Sequence, residues 1–359
     1  MLNVTKVFLP PLSEYVAKLE GIWARAQLTN NGPLVQELEA RLKSDLGVKH
    51  LFLVNNGTIA LQIAYRALAL TGKVITTPFS YVATVSSAVW EGLEPVFADI
   101  DAATLCIDPN QIEALIERHQ PSAIIATHVF GNACDVSAIE AIAKRHGLKV
   151  IYDAAHTYGA RLGDQSLASF GDVSTLSFHA TKLFHTGEGG AIITNDDECA
   201  KRIEYMRNFG HDGPEQFHGL GINAKVSELN AAMGLCVIDY VPALIERRLQ
   251  ICAHYEQSLA GLGLKTPKWA SQLQRNYAYY PIFTRNEQEL VAIRDALNLE
   301  HIFPRRYFYP SLHQLPYLQA ADMPVSAAVA ACSLCLPLHG EMLESDAERV
   351  CAVIRRALA

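Results

Sequence analysis

Several familiar signals are missing from this 359-residue chain. No basic stretch followed by an apolar core opens it at Met1-Leu-Asn-Val, so no secretory leader is expected. No apolar run is expected to be long enough to span a bilayer. There is no excess of positive charge: 30 Lys and Arg face 37 Asp and Glu, a formal net charge of −7. That balance argues against nucleic acid or an anionic membrane as the main partner. No G-x-G-x-x-G follows a first strand and no Walker lysine motif is present, which removes the usual nicotinamide and P-loop signatures. The eight cysteines are scattered. Cys332-Ser-Leu-Cys335 has C-x-x-C spacing, but no second pair matches it and it sits in the apolar run Ala327–Leu338, so a metal or redox role is not expected. A cytoplasmic setting follows as the default for unpaired thiols.

What is present is a soluble-enzyme composition, half hydrophobic and 19% charged, in a chain too long for one hydrophobic core. Between residues 50 and 195 β-rich runs alternate with helical patterns. The expected strands are His50–Val54, Lys73–Thr77, Pro95–Ile100, Ala123–His128, Lys149–Asp153, Val173–Phe178 and Gly190–Thr194. Helices are expected at Gly57–Leu70, Tyr81–Trp90, Pro109–Arg118 and Val136–His146. This alternation predicts an α/β fold with a mostly parallel sheet covered on both faces. The site should lie beyond the carboxyl ends of its strands. After residue 223, Val226, Leu229, Met233, Cys236 or Val237, and Tyr240 recur at helical spacing and predict a long helix. Gly261–Pro267 reads as a loop, Tyr277–Thr284 as a strand and Glu287–Leu297 as a helix. The expected division is a large domain over 1–239 and a smaller α+β domain over 240–359.

Three features fall at strand ends. Asn55-Asn-Gly-Thr58 leaves a strand and opens a helix, which is an anion cradle of free N–H groups, although the same residues also make an ordinary turn and cap. Asp153 follows a buried strand, where a carboxylate is costly unless paired; a protonated pyridine nitrogen suits it, and a helix cap is the plainer alternative. Lys182, in Ser177-Phe-His-Ala-Thr-Lys182, has no other Asp, Glu, Lys or Arg between Asp172 and Glu188. A desolvated lysine loses its proton and forms imines with carbonyls. A phosphate cradle, a carboxylate and an imine-forming lysine are the protein's share of pyridoxal-phosphate chemistry.

The sequence resembles the nucleotide-sugar aminotransferases of the DegT/DnrJ/EryC1/StrS family, which are fold-type I (aspartate aminotransferase-like) pyridoxal-phosphate transferases. The motifs that carry the resemblance run from Leu28-Thr-Asn-Asn-Gly-Pro33 to Cys335-Leu-Pro-Leu338. Between them lie Asn56-Gly-Thr-Ile-Ala-Leu61, Pro78-Phe-Ser-Tyr-Val-Ala-Thr84, His128-Val-Phe-Gly131, Asp153-Ala-Ala-His156, Ser177-Phe-His-Ala-Thr-Lys182, Gly187-Glu-Gly-Gly190 and Gly221-Ile-Asn223. The resemblance implies that Lys182 is the Schiff-base lysine and proton shuttle and that Asp153 pairs with the pyridinium nitrogen. It implies that His156 lies near the cofactor's phenolic oxygen, that Tyr81 stacks on the ring, and that Gly57, Thr58 and Ser177 hold the phosphate. Asn223 would reach the phosphate from a neighbouring subunit, which implies a homodimer with shared active sites. Asn31, Tyr309 and His313 are the implied substrate contacts; Lys225, Arg305 and Arg306 offer positive charge for a pyrophosphate, with plain charged surface as the alternative.

The subgroup indicated by Leu28–Pro33 and Val74–Phe79 aminates dTDP-4-keto-6-deoxyglucose at C4, with glutamate as donor, for surface polysaccharide. C3 amination, or a UDP- or GDP-linked sugar, is the alternative within the family. One branch carries His in place of the lysine and dehydrates its substrate; Lys182 argues for transamination. A non-catalytic regulatory homologue would keep the fold but could lose Lys182 or Asp153, and both are present.

Overall fold

The computed structural model describes residues 1–319 and 321–359. Its centre is a seven-stranded sheet in the order His50–Val54, Gly190–Thr194, Val173–Ser177, Lys149–Asp153, Ala123–Thr127, Lys73–Thr76, Glu94–Phe97. Gly190–Thr194 runs antiparallel to both neighbours, and all the other pairings are parallel. The apolar runs feed cores on both faces, as expected of a parallel sheet. Val74, Ile125, Ile151 and Val173 pack into one cluster, while Ile75, Ile124, Ala126 and Val150 pack into the other. Strand period two decides which residue goes where.

Element types follow the sequence reading, and several boundaries move toward the site. His128 and Phe178 leave the ladder one residue early, because the chain must turn at the strand's carboxyl end. The helix expected from Tyr81 begins at Ala83, which leaves Tyr81 on the preceding loop. The third strand is Glu94–Phe97 rather than Pro95–Ile100, and the strand expected at Tyr277–Thr284 is confined to Tyr280–Phe283.

The helical run after residue 223 spans Glu228–Ser258, with a turn of 3₁₀ helix at Ile238–Tyr240. Contrary to the expectation from sequence, this run contains an 18-residue window apolar enough, by length and composition, to cross a membrane, with a mean hydropathy of 1.4. Its apolar side chains are already in use. Ala231, Ala232, Leu235, Val237, Ile238, Val241 and Leu244 are buried against the helices Leu12–Arg25 and Pro33–Leu46 and the nearby sheet edge. A core helix of a large domain meets the same length and hydropathy test.

Past Leu244 the helix changes partners. Ile251, Cys252 and Tyr255 join a separate core with Tyr280, Ile282, Leu290, Ile293, Leu334, Leu336 and Val350. Leu2, from the other end of the chain, enters this core too, because Leu2–Asn3 pairs in parallel with Ile302–Phe303.

One buried carboxylate couples the central sheet to the C-terminal region. Asp99 is 4% exposed. Its Oδ1 accepts from the N–H groups of Ile100 and Ser326 at 2.9 Å, and its Oδ2 accepts from Val325 at 2.8 Å. It therefore satisfies the free amides at the start of the helix Pro324–Cys332 from a point 226 residues away in sequence. Asp99→Ala is expected to cost about 1–2 kcal/mol in urea denaturation, as for a lost helix cap. Faster hydrogen exchange at Val325 and Ser326 should accompany it. An unchanged midpoint and unchanged exchange would show that the cap carries no load.

Candidate active site

The carboxyl ends of the parallel strands open into a cavity of about 260 Å³. Asn56, Gly57 and Thr58 line it from the first strand–helix turn, Ser80 and Tyr81 from the second, and Asp153, Ala155 and His156 from the strand Lys149–Asp153. Ser177, Thr181 and Lys182 arrive from the segment after Val173–Ser177. Seven of the residues named from sequence therefore meet in one place: Gly57, Thr58, Tyr81, Asp153, His156, Ser177 and Lys182.

The cradle at Gly57 depends on two close approaches. The Asn56 side chain caps the helix by accepting from Ile59 N–H at 2.9 Å, which leaves the amides of the first turn aimed at the cavity. A Cβ at Gly57 would stand 3.1 Å from the Ser177 Cβ, tighter than an ordinary contact, so glycine lets these two turns meet without either shifting. A Cβ at Gly190 would strike the Asn56 backbone at 2.7 Å. The Gly187–Gly190 motif is thus partly a packing requirement of the cradle.

Asp153 is 6% exposed. Its Oδ2 accepts from the Thr84 hydroxyl at 2.6 Å and its Oδ1 from Ala155 N–H at 3.1 Å. Burial pushes its carboxyl above the ordinary carboxylate range, and these two donors together with the Lys182 charge offset only part of that rise. Among the described residues no cation is hydrogen-bonded to it, so a ligand with a protonated nitrogen fits there.

Lys182 is half-buried, with Nζ 3.5 Å from the Tyr279 hydroxyl. Desolvation lowers its amine from 10.5 to about 8, against the opposing pull of Asp153. His156 is held neutral by burial and by the Lys182 charge. Its Nδ1 accepts from Phe130 N–H at 3.3 Å. The neutral ring therefore carries its proton on Nε2 and is a donor there. Phe130 reaches that position in a left-handed backbone conformation, φ 57°, at the turn of the His128–Gly131 motif.

The other residues named from sequence lie outside this lining. Asn31 and Lys225 share a second cavity of about 160 Å³ with Arg207 and Asn208. There Lys225 Nζ donates to Asn208 Oδ1 at 3.0 Å and sits over the Phe209 ring. Asn223 is on an exposed loop, bridged to Asn208. Tyr309 is half exposed under the Arg306 guanidinium, and His313 Nδ1 is 2.9 Å from the Ser311 hydroxyl.

Sequence reasoning assigned no role to Tyr279, Tyr307 and Phe308, which make the far wall together with Arg305, a candidate for a pyrophosphate contact. Phe308 stacks parallel to His156 with centroids 5.8 Å apart, and Tyr279 meets the same ring edge-on at 5.0 Å. No local pattern marks these residues, because they reach the cavity only through the packing of the C-terminal region. Ser80 and Thr127 were missed as well. Both are polar residues at the ends of apolar segments, and that was the available signal.

The model of the DegT/DnrJ/EryC1/StrS aminotransferase family matches residues 13–355. The chain is 42% identical to a dTDP-4-amino-4,6-dideoxy-D-glucose transaminase of Shigella dysenteriae over 98% of both chains. It is 38% identical to an enzyme of the same name from Escherichia coli, over 95% of this chain and 94% of that one. Among solved structures, DesI in the presence of its TDP-sugar product superposes with a TM-score of 0.94 at 34% identity, covering 99% of this chain and 93% of that one.

The Lys182 environment has a measurable consequence. A group whose protonation midpoint is lowered exposes its neutral form at lower pH. In cofactor-free protein, modification of Lys182 by an amine-selective reagent should be half-maximal near pH 8. Exposed lysines should keep gaining reactivity toward about pH 10.4. Peptide-resolved mass spectrometry reads both; a Lys182 profile that follows the exposed lysines would contradict the desolvation.

Proposed function

The chain belongs to the DegT/DnrJ/EryC1/StrS aminotransferase family, and on that footing we propose that it moves an amino group from glutamate to C4 of dTDP-4-keto-6-deoxyglucose. The product would be dTDP-4-amino-4,6-dideoxyglucose, a building block for surface polysaccharide such as O-antigen. Pyridoxal-phosphate dependence and the sugar-aminotransferase class come with family membership. The choice of sugar is supported by the two transaminases of that name, matched over nearly the whole chain. The observation that carries the catalytic reading is the meeting of Lys182, Asp153 and the Gly57 cradle in one cavity.

Bound pyridoxal phosphate supplies an aldehyde for imine exchange and a protonated ring that takes up electrons when a C–H bond breaks. The chain's residues do the rest. Gly57, Thr58 and Ser177 hold the phosphate with helix-start amides and hydroxyls. Asp153, kept ionised by Thr84 and Ala155, holds the ring nitrogen protonated. His156 would donate from Nε2 toward the cofactor's phenolic oxygen, and Tyr81 would cover its ring. Lys182 Nζ takes a proton from the α-carbon of glutamate and later delivers one to C4 of the sugar. An amine near pKa 8 is suited to both directions. Phe308 and Tyr279 exclude water from the His156 side.

The protein acts as a cytoplasmic homodimer in this reading. The loop around Asn223 exposes Phe209, Phe217, Leu220 and Ile222, an apolar surface of the kind that pairs with a second copy. Asn223 would then complete the phosphate site of the opposite subunit.

Lys182→Ala should fold normally and lose turnover, and borohydride treatment of the wild-type holoenzyme should leave a pyridoxyl label on the peptide containing residue 182. Label elsewhere, or an active Ala variant, would overturn the assignment. A panel of dTDP-, UDP- and GDP-keto-sugars with glutamate, read by NMR at the aminated carbon, decides the substrate. Mixing unfolded Lys182→Ala and Asn223→Ala chains and refolding them together should give hybrids with activity that neither variant has alone. No recovery would argue against shared sites.

A further inference from the structure

Of the buried hydroxyls beside Asp153, only Thr84 has a part in the chemistry derived so far, and what stands behind Thr84 has none. Thr127, Ser80 and Thr84 are all buried, at 2%, 1% and 1% exposure. Thr127 Oγ1 donates to Ser80 Oγ at 3.0 Å, Ser80 Oγ lies 2.7 Å from Thr84 Oγ1, and Thr84 Oγ1 donates to Asp153 Oδ2 at 2.6 Å. The fold builds this line from two elements. In the parallel ladder Thr127 is the register partner of Asp153. Ser80 and Thr84 are four residues apart across the start of the helix Ala83–Trp90. Ser80, Thr127 and Asp153 line the cavity; Thr84 does not.

We propose that Thr127, Ser80 and Thr84 form a one-way hydroxyl relay that keeps Asp153 ionised for a cationic ring nitrogen, with Thr84 as the positioning residue that acts through Asp153. This rests on the pyridoxal-phosphate reading above and extends it to the hydroxyls around Asp153.

The direction follows from the chemistry of the groups. An ionised carboxylate only accepts, so Thr84 must give its proton to Asp153. Its oxygen is then free to accept from Ser80, and the Ser80 oxygen from Thr127. Each hydroxyl polarises the next, which strengthens the final bond to the charge. A proton on Asp153 would remove the charge that these donors stabilise: on Oδ1 it would displace the Ala155 N–H, and on Oδ2 it would force the hydroxyls to turn round. The relay therefore favours the anion, against the effect of burial, which favours the neutral acid. A hydrogen bond to a charged group is worth more than one to a neutral group, so the last link carries the largest share.

The test uses wild-type, Thr84→Val, Thr84→Ser and Ser80→Ala holoenzymes. Pyridoxal-phosphate dissociation constants, the pH dependence of the holoenzyme's visible absorbance, and thermal midpoints are measured for each. Thr84→Val keeps the shape and removes the donor. It should weaken cofactor binding about tenfold or more, the size expected for a hydrogen bond to a charge. It should also move the acid limb of cofactor retention to higher pH, because Asp153 would take up a proton sooner as pH falls. Thr84→Ser should restore both, and Ser80→Ala should give a smaller loss in the same direction. Thr84→Val with wild-type affinity and pH profile would overturn the relay. So would Thr84→Val and Thr84→Ser impaired alike, since that would point to packing rather than donation. Wild-type protein that takes up no pyridoxal phosphate would remove the parent reading, and the relay with it; that result is distinct from failure of the relay alone.

Discussion

A carboxylate held out of water at the end of a parallel strand is the constraint around which this cavity is arranged. Asp153 has a backbone amide and a hydroxyl as donors, and burial works against its charge. Such a group persists when a cation arrives to pair with it. The neighbouring elements are consistent with one kind of arrival. The Lys182 amine is softened by the same desolvation that strains Asp153, and a glycine-lined turn offers amides to an anion on the other side. One low-dielectric space thus makes an amine more nucleophilic and a carboxylate more demanding, and both effects favour an aldehyde-bearing cationic ring with a phosphate tail.

The large sheet supplies only part of the enclosure. Tyr279, Arg305, Tyr307 and Phe308 come from the C-terminal region, and their placement depends on contacts far from the chemistry. Asp99 caps the helix Pro324–Cys332. The Ser311 hydroxyl bonds both Ser326 and the carbonyl of Pro78, next to the turn that carries Ser80 and Tyr81. Leu312 N–H reaches the same carbonyl at 2.7 Å. The two regions therefore share a buried polar seam rather than only an apolar one. A seam of directed bonds fixes relative position more sharply than hydrophobic contact, which has no preferred direction.

A pyridoxal-phosphate lysine is expected to sit on a turn, since it must approach the cofactor from the edge of the sheet. Here that turn is braced from several sides. Lys182 N–H bonds His179 O, and Thr186 N–H returns to Phe178 O. Phe178 and Phe184 pack edge to face at 4.8 Å beneath it. The Lys182 side chain is thus mounted on an aromatic base that belongs to the main core, which limits its freedom without occupying its amine.

The strand-by-strand pattern of the central sheet was legible in the residues because a two-sided parallel strand leaves a continuous apolar run, as in Ala123-Ile-Ile-Ala126 and Val150-Ile151. Lys182, Asp153 and the Gly57 turn were legible for a related reason: each interrupts or ends such a run with chemistry that a plain core would not tolerate. What local pattern could not supply was everything set by distance. The register that puts Thr127 opposite Asp153, the reach of Asp99 to Val325, and the arrival of Phe308 against His156 each join residues tens to hundreds of positions apart, and no periodicity records such a meeting. The same limit let the Glu228–Ser258 helix go unrecognised as a membrane-length apolar run. Composition gives that helix its hydropathy, but only the packed neighbours decide whether its apolar face meets protein or something else. Sequence determined which side chains could do the chemistry; the tertiary structure decided which of them share one dry space, because desolvation and directed hydrogen bonds exist only once the chain has closed around them.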